Sequence, residues 1–256
     1  MRAAPSVVRL VTYNLHQGRD RRGRSVVDAL ADAVARLDPD VLACQESLAP
    51  ADTGPVDAKT VDTAGNIATR LRAVGFADHR FAPNAVVRRG RLGNALVARE
   101  ELCDHRNVDL SVGRHEPRGL QSARLSRSGL TIWNTHFGLT GAQRRRQWAI
   151  LGERVAAEDP GRPLVICGDF NAWRGGFDRA ASRIGLTNAL DGVPRRARRT
   201  FPAWRPLFAL DRVYVRGVRV RTARVLTGPP WDALSDHLPV EAELELELDA
   251  ATGDDA

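Results

Sequence analysis

Apolar and polar positions change rhythm along this chain, and the changes mark its elements. Val7 to Tyr13 alternates and is rich in β-branched residues, so it predicts a strand. Val26, Val27, Leu30, Val34 and Leu37 then recur at helical spacing, with Ser25 as the expected cap. Pro39 follows, and Asp40 to Gln45 predicts a short buried strand. Ala49 to Asp57 is a loop by its Pro, Gly and Asp content. Ile67, Leu71 and Val74 mark a second helix, which Gly75 ends.

The second half repeats the order. From Phe76 to Gly138 the pattern is strands and turns, clearest at Asn94 to Arg99, Gly119 to Leu125 and Leu130 to Phe137. Gly141 to Glu158 predicts a helix with Trp148, Leu151 and Val155 on one face. Pro163 to Gly168 is a buried strand, and Phe177 to Ile184 a short helix. Leu210 to Val215, Val218 to Leu226 and Leu238 to Leu248 predict further strands. Two such blocks predict a two-layered β-sandwich covered by helices. Residues 1–248 are expected to form one domain, and Asp249 to Ala256 a disordered acidic tail.

Polar residues recur where buried strands stop. Asn14 closes Val7–Tyr13, and Glu46 closes Val41–Gln45. His136 lies near the end of Leu130–Phe137, and Asp169 and Asn171 follow Leu164–Gly168. Asp211 breaks an apolar run, and Asp236 and His237 precede Leu238–Val240. Taken singly, each is most simply a turn former, a cap or a structural histidine. Together they make a poor set of turn residues. Carboxylates gathered in one buried place repel and take up protons unless a cation joins them. Hard divalent cations take oxygen ligands, so Glu46 and Asp236 are candidate metal ligands, with Asn14 as an oxygen donor or an orienting group. No HxxxH or CxxC pair is present, which argues against an N/S-rich zinc site. In VICGDFNA, Asp169 and Asn171 are two apart, so an extended backbone would aim both at one pocket. Phosphate-ester hydrolysis needs charge neutralisation, an activated water and a stabilised leaving oxygen, and this inventory supplies each.

Composition changes this picture little. The net charge of +7 comes almost wholly from Arg, since Lys59 is the only lysine, and it looks like a compositional bias rather than a nucleic-acid signature. Arg19–Arg24, Arg144–Arg146 and Arg195–Arg199 read as solvated faces. Three cysteines, Cys44, Cys103 and Cys167, do not make a disulfide framework, and a reduced cytoplasmic setting is expected. No signal peptide and no transmembrane run is evident.

At this point the motifs resemble the endonuclease/exonuclease/phosphatase superfamily, which includes pancreatic-type deoxyribonuclease, abasic-site endonucleases, neutral sphingomyelinases and inositol polyphosphate phosphatases. The resemblance runs in order through TYN (Thr12–Asn14), QE (Gln45–Glu46), GNAL (Gly93–Leu96), NTH (Asn134–His136), GDFN (Gly168–Asn171), LDRVYV (Leu210–Val215) and SDHLPV (Ser235–Val240). It implies an α+β fold, a four-layer α/β/β/α sandwich of two packed, mostly antiparallel sheets, and a Mg²⁺ or Mn²⁺ cofactor. It implies that Glu46 is a metal ligand with Asn14 and Asp236 close by, that Asp169 activates or orients the attacking water, and that Asn171 holds the phosphate. Asp211 would orient His237, which serves as general base or transition-state stabiliser. His136 would contact the phosphate or leaving group, and Asn94, within GNAL, the substrate. Some abasic-site members carry an Asp two residues after the first Asn. Here that position is His16, open to three roles: tuning the metal, contacting a phosphate, or sitting in a loop. Arg118 suits a phosphate clamp by charge and geometry. Trp204 either lines the cleft or packs in a core. The expected substrate is a phosphate ester, with nucleic acid, a phospholipid headgroup or a small phosphate ester all open. The alternative is an inactive binding or regulatory protein on the same fold.

Overall fold

A computed structural model of the chain describes residues 7–50, 63–173 and 176–246. The expected acidic tail, and most of the loop expected from Ala49 to Asp57, lie outside the described residues. Twelve strands are found among the described residues, and they form two six-stranded sheets. In chain order these are β1 (Val7–Asn14), β2 (Val41–Ala49), β3 (Asp78–Val87), β4 (Gly90–Ala98), β5 (Leu102–Asp109) and β6 (Gly119–Leu125). They continue with β7 (Thr131–His136), β8 (Leu164–Asp169), β9 (Thr187–Asn188), β10 (Asp211–Arg216), β11 (Val218–Val225) and β12 (Val240–Leu246). The first sheet runs β11-β12-β1-β2-β4-β3 and the second β5-β6-β7-β8-β10-β9. Only β1–β2 and β7–β8 pair in parallel; the other pairings are antiparallel.

Helices cover the outer faces. Helices α1 (Val27–Leu37) and α2 (Thr63–Arg72) pack with the first sheet; α3 (Gly141–Ala157) and α4 (Phe177–Arg183) pack on the second. A fifth, single-turn helix, α5 (Trp231–Leu234), precedes β12. The arrangement is the four-layer sandwich. No helix among the described residues is long and apolar enough to cross a membrane.

Side-chain alternation along the second sheet decides what the gap between the sheets receives. In β8, Leu164 and Ile166 join the core under α3, whereas Val165 and Cys167 join the core shared with the first sheet. In β10, Tyr214 points one way and Val213 and Val215 the other; in β7, Trp133 and Ile132 divide similarly. Extending that period of two places Asn134 and His136, Asp169, and Asp211 on the inward face. The carboxylates and the imidazole therefore enter the gap because they keep the parity of the buried aliphatics in their own strands.

Three local expectations are corrected. Ser25 does not cap α1: it pairs with Arg19 in an isolated β-bridge, is exposed, and leaves Val26 at the cap with no side-chain bond. Helix α2 stops at Arg72, so Val74 lies in the following turn and is exposed. Strand β2 does not stop at Gln45 but continues to Ala49, with its pairing to β4 shifting between Cys44 and Ser47. By contrast α3 begins where expected and carries a full capping box, in which the Thr140 hydroxyl accepts from the Gln143 N–H at 3.2 Å and the Gln143 carbonyl from the Thr140 N–H at 3.0 Å.

Candidate active site

The interruption in β2 sits at Glu46, whose backbone is left-handed (φ 51°). One extra residue there opposes the regular ladder of β4. Such a bulge turns a side chain out of its alternating direction. Gln45 has already taken the inward position, bonding Thr12 Oγ1 at 2.9 Å and Asn134 Oδ1 at 2.7 Å. The bulge lets Glu46 reach the same end of the gap. Its Oε1 accepts from Asn14 Nδ2 at 3.3 Å.

Asp169 is the centre of the cluster. Its Oδ2 accepts from Asn14 Nδ2 at 3.2 Å and lies 3.4 Å from His136 Nε2 and 3.7 Å from His237 Nε2. Its Oδ1 accepts from the Asn171 N–H at 2.8 Å. The expected extended backbone through Asn171 is not found. The chain turns there (φ 48°), a conformation Asn tolerates, so the amide N–H folds back onto Asp169. Asn171 Nδ2 donates to the Phe137 carbonyl at 2.8 Å, which aims the side chain into the site. Gly168 precedes at φ 136°, where a Cβ would lie 1.9 Å from the Thr135 carbonyl oxygen. Only glycine lets β7 and β8 approach this closely and deliver His136 beside Asp169.

His237 is held from two sides. Its ring Nδ1 lies 2.9 Å from Asp211 Oδ2, and its backbone N–H donates to Ser235 Oγ at 3.2 Å. Ser235 Oγ in turn donates to the Asn14 carbonyl at 2.7 Å, tying the SDH segment to the end of β1. Burial alone would lower the His237 pKa, but Asp211, Asp169 and Asp236 outweigh it and raise it to about 10. The imidazole is therefore charged at neutral pH. Burial and the Asp211 charge push the Asp169 carboxyl up, against the pull of His237, to about 6. His136 is held well below its usual range by burial, then by the charges of Arg118 and His237, so it is neutral. Two imidazoles beside one carboxylate thus carry different protonation states.

A second acidic pair stands next to this centre. Asp236 Oδ2 and Glu46 Oε2 lie 3.4 Å and 4.0 Å from His16 Nδ1. Burial and the neighbouring Asp236 charge raise the Glu46 pKa, while the Asn14 hydrogen bond opposes this. Neither carboxylate pairs with an arginine among the described residues. Two partly exposed carboxylates without a fixed cation fit a divalent ion, which takes oxygen ligands and keeps waters. Asp169, Asp211 and His237 also bring ligand atoms within 4.8 Å of one another. That trio is already bonded internally through His237 Nδ1, so Glu46 and Asp236 are the better-disposed pair. Asn14 spends its amide N–H groups on Glu46 and Asp169 and its carbonyl on the His16 N–H at 3.1 Å, which makes it an orienting group.

Arg118 and Asn94 line a small cleft with Glu46 and His136. Arg118 is buried, and its guanidinium pairs with Glu116. Asn94 also ties the sheets together. Its amide donates to the Gly119 and Asn134 carbonyls at 3.1 and 3.3 Å, so the side chain bridges the two sheets. Trp204 is 58% exposed and belongs to no core. Residues with no role assigned from sequence turn out to frame the site: Gln45, Asn134 and Ser235. Asn134 Nδ2 donates to the Cys44 and Ala95 carbonyls at 2.9 and 3.0 Å, clamping the sheets just behind the cluster. For Gln45 and Asn134 the signal was polarity inside otherwise apolar strands.

The profile of the Endonuclease/Exonuclease/phosphatase family matches residues 11–237. The chain belongs to this family. As an Endonuclease/Exonuclease/phosphatase member it is 30% identical over 247 residues to the uncharacterized protein YbhP of Escherichia coli, covering 93% of this chain and 96% of the relative. Solved structures share the fold. An endonuclease/exonuclease/phosphatase from Beutenbergia cavernae superposes with a TM-score of 0.79 at 21% identity, covering 94% of this chain and 72% of that one. A humanized D. rerio TDP2 superposes at 0.68 with 16% identity, covering 94% and 99%. Family members hydrolyse phosphoester bonds and are generally dependent on a divalent metal.

Proposed function

We propose that this protein is a divalent-metal-dependent phosphodiesterase acting on nucleic-acid ends or other single-stranded segments. The observation that carries the hydrolytic reading is the convergence of Asn14, His136 and His237 on one oxygen of Asp169, with Glu46 and Asp236 alongside. A Mg²⁺ or Mn²⁺ ion held by Glu46 and Asp236 would offset negative charge on the phosphoryl and leaving oxygens. The rest falls to the chain itself. Asp169, with a pKa near 6, is matched to accept the proton of the attacking water at neutral pH. As the water oxygen bonds to phosphorus, the bond to the leaving alkoxide breaks. His237 is charged, so it acts as the cationic stabiliser of the phosphoryl oxygens and not as the base. Neutral His136 and the Asn171 amide fix the phosphoryl group, and buried Arg118 adds positive charge at its far side.

The substrate reading rests on the surface beside this centre. A cavity of about 730 Å³ is lined by Leu139, Arg144, Arg145, Trp148, Trp173 and Phe177. Trp173 contacts Phe201 and Phe208 (centroids 5.5 and 5.2 Å), and Phe201 lies 5.0 Å from the His237 ring. A chain of ring contacts therefore runs from Trp173 in the cavity wall to the catalytic imidazole, and guanidinium groups line the cavity. Bases stack on such faces and phosphates pair with arginine, whereas an acyl chain has no use for the charge.

Purified protein with Mn²⁺ should hydrolyse bis-p-nitrophenyl phosphate and stop in chelator or as Asp169→Ala. Full activity in either case would defeat the enzyme reading. A panel of oligonucleotides, phospholipid headgroup esters and small phosphate esters then tests the substrate. Faster turnover of the lipid or small esters would remove the nucleic-acid assignment while leaving the hydrolase intact.

A further inference from the structure

His16 takes no part in the chemistry above, yet its ring faces the two carboxylates that a cation would join. Its Nδ1 faces Asp236 Oδ2 at 3.4 Å and Glu46 Oε2 at 4.0 Å, while the ring remains partly exposed on its other side. The backbone is built to hold it there. The His16 N–H donates to Asn14 Oδ1 at 3.1 Å, the Leu15 N–H to the Gln45 carbonyl at 3.0 Å, and the Gly18 N–H to the Leu15 carbonyl at 2.8 Å. Asn14 and Gln45 flank the two strands that carry the site, so the turn is anchored to the same frame as Glu46. His16 and Gln17 both adopt left-handed backbone (φ 45° and 55°), a conformation that side chains other than Asn, Asp or Gly seldom take. A histidine serving only as loop filler needs no such fixture.

We propose that His16 Nδ1 is a ligand of the divalent ion, completing a mixed nitrogen–oxygen site with Glu46 and Asp236. The assignment rests on the metal dependence proposed above. Two carboxylates and waters alone favour no transition metal over Mg²⁺. An imidazole nitrogen changes that, because Mn²⁺ and later first-row ions accept it readily, whereas Mg²⁺ holds to oxygen and gives up water reluctantly. The consequence is selectivity: this site prefers Mn²⁺ to Mg²⁺. The position of Nδ1 toward the carboxylates, and not toward His136 and Asp169, separates this role from a phosphate contact.

Mn²⁺ binding is measured by calorimetry with Mg²⁺ as competitor, and the bound Mn²⁺ is examined by pulsed electron paramagnetic resonance. Wild type should show nitrogen modulation from a directly bound imidazole. His16→Asp should lose that modulation, and its preference for Mn²⁺ over Mg²⁺ should drop about tenfold or more, the scale on which even indirect partners of a metal ligand alter affinity. His16→Asn carries the same test should the Asp variant fail to fold. Mn²⁺ bound to wild type without nitrogen modulation, or modulation unchanged in the variants, would reduce His16 to an ion-pair partner. No Mn²⁺ binding by wild type would instead strike the metal-dependent reading itself, and this proposal with it.

Discussion

Replacing Asp211 with Asn tests the electrostatic core of the mechanism. Asp211 is fully buried, its Oδ2 holds His237 Nδ1 at 2.9 Å, and its Oδ1 has no partner. The amide keeps the shape and can still accept from Nδ1 while removing the charge. That charge is the foremost influence raising His237 to about 10; burial, which lowers the pKa, stays. Without Asp211, burial is opposed only by Asp169 and Asp236, so the imidazole should titrate well below 10. A fall all the way to the ordinary imidazole value of about 6.5 would cut the charged fraction at pH 8 to about 3%, a limiting loss of roughly 30-fold in stabilising charge. Where a carboxylate also fixes the tautomer and orientation of a catalytic imidazole, the same change costs up to about 10⁴. The drop in kcat should lie between these figures. The assay is a pH profile of bis-p-nitrophenyl phosphate hydrolysis with Mn²⁺. Wild type should rise as Asp169 deprotonates near pH 6 and decline as His237 deprotonates near pH 10; the variant's alkaline decline should come at clearly lower pH. Stability should follow the same group. The folded pKa of His237 lies above the unfolded value, so its contribution is complete below about pH 6.5 and is lost as pH rises toward 10. Wild type should therefore melt progressively lower over that interval, and the variant should lack this part of the slope. A variant with wild-type kcat and an unmoved alkaline limb would refute the assignment of His237 as the charged stabiliser.

Three further outcomes follow from the geometry. Glu46→Gln removes a partly buried carboxylate that lies near Asp236, so Mn²⁺ affinity should fall at least about tenfold in calorimetry while the metal-free Tm holds or rises. Gly168→Ala drives a Cβ to within 1.9 Å of the Thr135 carbonyl at φ 136°, and should cost about 3 kcal/mol or more in a urea titration, with activity lost in whatever folds. Arg145→Glu reverses the charge at the rim of the aromatic cavity and should raise KM for a single-stranded oligonucleotide several-fold more than KM for bis-p-nitrophenyl phosphate, which is too short to reach it.

Much of the architecture was legible before folding, because period is a local property. The unbroken apolar run Leu164–Cys167 marks a buried strand, and the 3.6 period at Leu30, Val34 and Leu37 marks α1. Polar residues that keep the parity of a buried strand, such as His136, Asp169 and Asp211, announce themselves in the same way. What the sequence could not show depends on partners distant along the chain. Glu46 reads as a strand end, yet it is a bulge, because its register is set by β4 and not by its neighbours in sequence. Asn94 reads as a substrate contact, and its amide is claimed by β6 and β7 of the opposite sheet. Gln45 and Asn134 are 89 residues apart, and no local pattern tells that one donates to the other. His16 faces Asp236 and Glu46 only because the end of β1, the bulge in β2 and the loop before β12 meet at one edge of the sandwich. Chemistry types were written in the strands; their distances, protonation states and pairings arose only where two sheets closed on one another.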